Sequence, residues 1–429
     1  MGRALRHRNY RLFFAGQGIS LVGTWLTRVA TSWLVYRLTG SALLLGLASF
    51  AGQVPTFLLA PFAGVLIDRA DRHRILVATQ SVSMVQSALL AVFALGGTIT
   101  VGHIIVLSIV QGIVNAFDTP ARQSFVVEMV ESREDLPNAI ALNSSLVNGA
   151  RLIGPSVAGV LIAAVGEGWC FAVDAVSYIA VVASLLAMRV PPRVRTPSGA
   201  PVLAELRAGA AYAFSFPPIR AILLLLALVS LSGMPYQVLM PLFAAEVLGG
   251  GPHTLGLLMG SSGVGALCGV LWLASRKSVV GLGRVLVAST AMLGLGMAGY
   301  ALSGRLWLSM ALLLVAGAGM MMSLSASNTI LQTVVDEDKR GRVMGFYAMA
   351  FFGMAPFGSL AAGALAERFG APVTVLLCGA ATLVGTVLFA RRLPELRRLI
   401  RPIYQRLGIL PEIAEGLPPT GAMSSPADE

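Results

Sequence analysis

About a dozen apolar runs, each near or above the roughly 20 residues that an α-helix needs to cross a bilayer core, punctuate this chain at short intervals. Counted by length, they fall near 11–37, 42–67, 75–97, 101–126, 138–165 and 169–190, and again near 219–247, 253–275, 281–303, 305–333, 342–367 and 371–391. Runs this long exceed the 9–11 residues of a barrel strand, so the spacing predicts helices. Only 12% of the 429 residues are charged, against about 25% in a soluble domain. A chain so poor in charge cannot cover its surface with polar groups, and lipid is expected to solvate most of it.

The formal charge of +11 does not point to nucleic acid, because the basic residues punctuate apolar runs instead of clustering on a soluble face. Arg3, Arg6, Arg8, Arg11, the Arg69-Arg72-Arg74 loop, Arg193, Arg195, Arg276, Lys277, Arg340, Arg342 and the stretch Arg391 to Arg406 share one side. Arg37, Arg305 and Arg368 lie on the other. The positive-inside rule then places both termini in the cytoplasm, in agreement with an even number of spans. The basic N-terminus before an apolar run is read as a retained first span, since the run is long, holds Arg28 and lacks a convincing cleavage site.

The longest break, 191–218, opens Pro191-Pro192-Arg193-Val194-Arg195 and carries an expected amphipathic helix around 202–215. It divides the chain into a six-helix half over 1–190 and a second over 219–391. A cytoplasmic tail over 392–429 is expected to be partly disordered. An offset of about 201 residues sets Pro155 opposite Pro356, each after a charged loop. Paired six-helix halves around a central cavity are the repeat logic of many secondary transporters.

Gly64-Val-Leu-Ile-Asp68-Arg69-Ala-Asp71-Arg72-His-Arg74, between the second and third spans, resembles the cytoplasmic loop signature of the major facilitator superfamily, with Asp71 where glycine is commonest. The resemblance implies that Asp68 and the arginines clamp the inner gate beside the start of the eleventh span, where unpaired amides favour a carboxylate. The plainer reading is a positive-inside loop. Gly154-Pro155-Ser-Val-Ala158-Gly159 is similar to the fifth-span motif of the family's exporters. There small residues allow close packing and proline a bend, so Gly154, Pro155, Gly159 and Pro356 are read as a gate and bending set. Gln111-Gly112-Ile-Val-Asn115-Ala-Phe-Asp118-Thr-Pro120-Ala-Arg122-Gln123 and Leu136-Pro137-Asn138-Ala139 resemble the branch holding enterobactin exporters and macrolide-efflux-like permeases. Ser108 stands where many drug–proton antiporters carry arginine, so coupling through that arginine does not carry over.

Charged residues inside spans are costly and become functional hypotheses. Arg28, Asp118, Arg122, Arg151 and Asp174 are the candidates. By the family's plan Arg28 faces the central cavity beside Trp25, where it could draw in an anionic or catecholate-like group; an internal ion pair or a snorkelling side chain is the alternative. Asp118, one turn from Arg122, is either a local salt bridge or a carboxyl that trades protons with hydration. Arg151 and Asp174 are expected to pair. Gln111 joins the candidate substrate or proton path. Met320 in a Gly317-to-Met322 stripe, with Tyr236 and Met240, reads either as ordinary packing or as an adaptable apolar wall.

No P-loop, no nucleophile elbow and no metal-ligand spacing of His or Cys is present, and Gly294-Leu-Gly296-Met-Ala-Gly299 lies mid-span without a preceding strand. No cofactor and no enzyme activity are expected. The expectation is a monomeric transporter of the bacterial inner membrane, solvated by lipid and driven by protons, exporting a small amphipathic drug, macrolide or siderophore. An importer, a lipid flippase or a non-transporting sensor or scaffold are the rivals.

Overall fold

A computed structural model describes residues 3–189 and 211–409 apart from 131, 133 and 277, and within helices it leaves aside the side chains of 60, 61, 64, 65, 68, 69 and 338. The expected linker helix around 202–215 therefore lies mostly outside the described residues, as does the end of the tail.

Among the described residues every regular element is helical. The first half holds α1 (Arg8–Thr39), α2 (Ala42–Arg69), α3 (Arg72–Leu95), α4 (Val101–Met129), α5 (Leu136–Val165) and α6 (Glu167–Leu186). The second holds α7 (Pro217–Val247), α8 (Pro252–Ala274), α9 (Leu282–Leu302), α10 (Leu306–Val334), α11 (Lys339–Phe369) and α12 (Ala371–Arg406). Among the described residues eleven helices are long and apolar enough to cross a membrane. The exception is α1, which is 32 residues long but diluted by Gln17, Ser20, Thr24, Thr27, Arg28 and Thr31. Helix α12 continues past residue 391, where the tail was expected to begin, to Arg406.

Local chemistry explains where the helices stop. Gly40, with φ 60°, ends α1 in the left-handed conformation, and the Ser41 side chain then accepts from the Leu44 amide to start α2. Thr100 and His103 form a reciprocal capping box at the start of α4. The α5–α6 and α11–α12 junctions are each one glycine, Gly166 (φ 90°) and Gly370 (φ 82°). Both angles suit glycine better than any other residue, so the internal repeat extends to its turns. The repeat is imperfect: α7 is interrupted at Gly233-Met234-Pro235 and ends in a π-helical turn, Phe243–Val247, and α11 carries a π-turn over Met349–Gly353 just before Pro356.

In the first half α1 packs on α5 and α6, α3 on α4 and α6, and α2 on α4. In the second, α10 packs on α8 and α9, and α12 on α7 and α9. The halves meet chiefly through α5 with α8 and α2 with α11. Among the described residues, twelve alternating helices put the start of α1 at Arg8 and the end of α12 at Arg406 on one face, the terminal face; the opposite face is distal.

Candidate functional site

Helices from both halves converge on a cavity between them. Its lining includes Trp25 from α1, Arg151 and Pro155 from α5, Tyr236 and Met240 from α7, Ser262 from α8, and Met320 from α10. The break in α7 matters here. Pro235 has no amide hydrogen to continue the helix ladder, and Tyr236 follows it at once. The Tyr236 hydroxyl lies 2.9 Å from Ser262 Oγ and accepts from Gln237 Nε2 at 3.3 Å. Met240 and Met320 are buried beside this polar group.

Two arginines share one tryptophan. The Arg28 guanidinium sits 4.8 Å from the centre of the Trp25 ring and that of Arg151 sits 5.9 Å from it. Arg28 is not itself among the cavity-lining residues; it reaches the cavity through its contact with Trp25, which is. Neither arginine forms an ion pair among the described residues. The expected partnership of Arg151 with Asp174 is absent, and the reason is helix rotation. Arg151 turns into the cavity, while Asp174 turns away into the α1–α3–α6 interface. There its Oδ2 accepts from Thr27 (2.7 Å) and Ser87 (2.8 Å), and its buried Oδ1 has no partner. Gly23 makes room for it, since a Cβ there would stand 2.6 Å from Asp174 Oδ1.

The other charged candidates sit deeper in the first half. Asp118 is buried on α4, where Oδ1 accepts from Thr79 (2.9 Å) and Gln80 (2.7 Å) of α3 and Oδ2 lies 3.3 Å from Arg122 Nη2. Arg122 also donates to Gln17 on α1 at 3.2 Å. Gln111 donates to Ser83 and Asn115 and is not among the cavity-lining residues. So Trp25, Arg151, Tyr236 and Met320 come together at the cavity, and Arg28 joins them through its contact with Trp25. Gln111, Asp118, Arg122 and Asp174 hold helices to one another.

Of the expected gate motif, the side chains of Gly64, Asp68 and Arg69 lie outside the described ones. Asp71 caps α3, accepting from the His73 and Arg74 amides at 2.9 and 3.3 Å, which explains a carboxylate where glycine is commonest. Arg74 lies 3.6 Å from Asp71, and Arg72 donates to Glu128 of α4 at 2.8 Å. In the bending set, Gly154 lets the Trp25 side chain lie against the α5 backbone, and Pro155 lines the cavity. Pro356 follows the π-turn of α11.

The distal end is sealed by contacts of which sequence reading singled out only Gly159, as part of the bending set. A Cβ on Gly159 would stand 3.0 Å from Gly256 Cα, and one on Gly46 would stand 3.0 Å from Gly363 Cα. One glycine pair closes α5 on α8, the other α2 on α11. Beside them Ser41 and the Leu43 amide each donate to Glu367 at 3.0 Å, and Tyr36 donates to Glu246 at 3.3 Å. Arg37 and Glu167, 2.8 Å apart, tie α1 to α6 at the same end. Acidic residues at helix ends near the expected outer loops were the available signal; Gly46, Gly256 and Gly363 had none, because each needs its partner helix to acquire meaning.

Comparison with known proteins gives this geometry a family. The chain matches the transmembrane secretion effectors, a major facilitator family, over residues 3–401. It is similar to the staphyloferrin A transporter of Staphylococcus aureus (strain NCTC 8325 / PS 47), 26% identical over 381 residues that cover 88% of this chain and 95% of that protein. It is also similar to macrolide efflux protein A of Streptococcus pyogenes, 25% identical over 301 residues covering 68% and 73%. Among solved structures, a bacterial homolog of the human lysosomal transporter Spinster, inward-facing and occupied, superposes with a TM-score of 0.70 at 15% identity, covering 94% of this chain and 99% of that one. A bundle whose described residues form helices only, with a cavity between its halves, agrees with these likenesses, and the chain belongs to the transmembrane secretion effector family of major facilitator transporters.

Proposed function

We propose that this protein is a monomeric secondary active exporter that carries a small amphipathic molecule out of the cytoplasm, driven by the proton gradient. One observation carries the reading. The cavity draws its lining from both halves, and paired glycines seal it at the distal end, the arrangement that alternating access requires. With the termini in the cytoplasm, as the arginine distribution argues, a distal seal corresponds to an inward-facing state ready to load from inside. The Asp68 loop would then lock the terminal face in the alternate state. Relatives named for macrolide efflux and staphyloferrin A transport support a drug-like or siderophore-like cargo.

The coupling proton needs a carboxyl that can gain and lose charge inside the bilayer. Asp118 is held by a cation and two donors, whereas Asp174 has hydroxyl partners only and one oxygen unpartnered. Asp174 is the better carrier. Overproduction in a susceptible host should lower the accumulation of a macrolide or a dye, and a protonophore should restore it. Unchanged accumulation across a broad panel, or efflux indifferent to the protonophore, overturns the proposal.

A further inference from the structure

We infer that Arg28, Arg151 and Trp25 form a receptor for a carboxylate carried on a flat, otherwise apolar ligand; this rests on the central cavity being the transport site. Both guanidiniums approach the same indole, at 4.8 and 5.9 Å from its centre, and Trp25 and Arg151 line the cavity. Other arginines near helix interfaces have carboxylates of their own: Arg37 has Glu167, Arg72 has Glu128 and Arg122 has Asp118. Arg28 and Arg151 have none among the described residues, and the nearby Asp174 is committed to Thr27 and Ser87. Two like charges held together at membrane depth repel each other and lack compensation. An anion entering between them removes both costs, and guanidiniums can grip a carboxylate through paired N–H donors.

The ring adds selectivity. Cation–π contact holds the guanidiniums beside the indole, and the bare α5 backbone at Gly154 seats the Trp25 side chain. Across the cavity lie Met240 and Met320, flexible thioethers that adapt to apolar bodies of varied shape. Tyr236 and Ser262 are already bonded to each other, which leaves the Gln237 amide as the polar group on that side. The receptor is therefore charged on one wall and soft on the other.

The test compares 2-naphthoate with 2-naphthamide, nearly equal in shape and different in charge, binding to the purified full-length protein in lipid nanodiscs by titration calorimetry. The naphthoate should bind at least about tenfold more tightly, the worth of one charge-assisted contact. Arg28→Gln and Arg151→Gln should each remove most of that preference while leaving naphthamide affinity within about twofold. Arg28→Lys and Arg151→Lys, which keep the charge, should retain part of it. Equal binding of the two probes to the wild type, no naphthoate binding, or a preference that survives Arg28→Gln and Arg151→Gln together overturns the inference. Should the Gln variants not fold, the wild-type ratio and the Lys variants decide. The outcome is separable from the export reading: efflux of neutral macrolides with equal probe binding sinks this inference alone. Carboxylate-selective binding without any efflux sinks the exporter and leaves the receptor.

Discussion

Between α1, α3, α4 and α6 of the first half lie Gln17, Gln80, Gln86, Asp118 and Asp174, all buried; the second half, among its described residues, buries serine and threonine hydroxyls but no carboxylate or side-chain amide. The two halves repeat the same turns and seals, so the difference is not one of architecture. Amides and carboxylates inside a bilayer are costly and need partners on other helices. Serine and threonine can turn back onto their own helix, as Thr290 does onto Leu286 and Ser359 onto Ala355. The first half therefore carries the machinery for handling charge, and the second supplies a compliant apolar wall.

The largest test of that division is Asp174→Asn. Asparagine can keep the contacts to Thr27 and Ser87 but cannot cycle a proton. Gradient-driven accumulation in proteoliposomes should fall by more than about tenfold, while exchange of substrate down its own gradient survives. A comparable loss of coupling in Thr382→Val, whose hydroxyl meets Ser232 across α12 and α7 at 2.9 Å, would spread the proton machinery over both halves and break the contrast.

The seals test where the halves should agree. Gly159→Val and Gly363→Val each push carbon into a backbone contact, Gly159 toward Pro252 O at 2.7 Å and Gly363 toward Ala42 O at 2.7 Å. Overpacking of this kind costs about 1–3 kcal/mol, enough to shift a two-state equilibrium roughly 5–150-fold. Both should open the distal end, read as faster labelling of Leu43→Cys by a membrane-impermeant maleimide. An effect in only one of them would mean that the two seals are not equivalent.

Legibility followed the range of the interaction. Span positions were readable because twenty apolar residues carry their own meaning, and Asp118 with Arg122 was readable because one helical turn brings them together. Arg151 and Asp174 are on different helices whose rotations the sequence does not reveal, and the expected pairing failed for that reason. Of the four seal glycines only Gly159, read as part of the bending motif, stood out; Gly46, Gly256 and Gly363 looked like ordinary small residues. Helix α1 fell below the apolarity of its neighbours because Gln17 and Thr27 bond to Arg122 of α4 and Asp174 of α6, and Arg28 lies beside Trp25 at the cavity. That weakness, with Trp25 and Arg28 on the same helix, was the sequence's best pointer to the site.

Gln80→Leu should cost about 0.6–1.7 kcal/mol of stability in detergent, the span seen for hydrogen bonds between membrane helices, because it removes a 2.7 Å donor to Asp118 from another helix. Asp118 keeps Thr79 and Arg122, so transport should be weakened and not lost. Thermal unfolding followed by a thiol-reactive dye would measure it. A change below about 0.2 kcal/mol would show that the first-half network holds little stability.

The smallest expected effect is in the second half. Thr290→Val exchanges a hydroxyl for a methyl of nearly the same shape at a fully buried site on α9. The lost bond runs to Leu286 O on the same helix, at 2.9 Å. That carbonyl also belongs to the backbone ladder, so removing the hydroxyl strands no acceptor, and both residues are β-branched with similar helix propensity. The cost should stay below about 0.5 kcal/mol, with transport unchanged. If Thr290→Val instead destabilises as much as Gln80→Leu, hydroxyls bonded to their own helix count as much as amides reaching across helices. The polar and apolar halves would then differ in composition only, and the division of labour between them would lose its energetic basis.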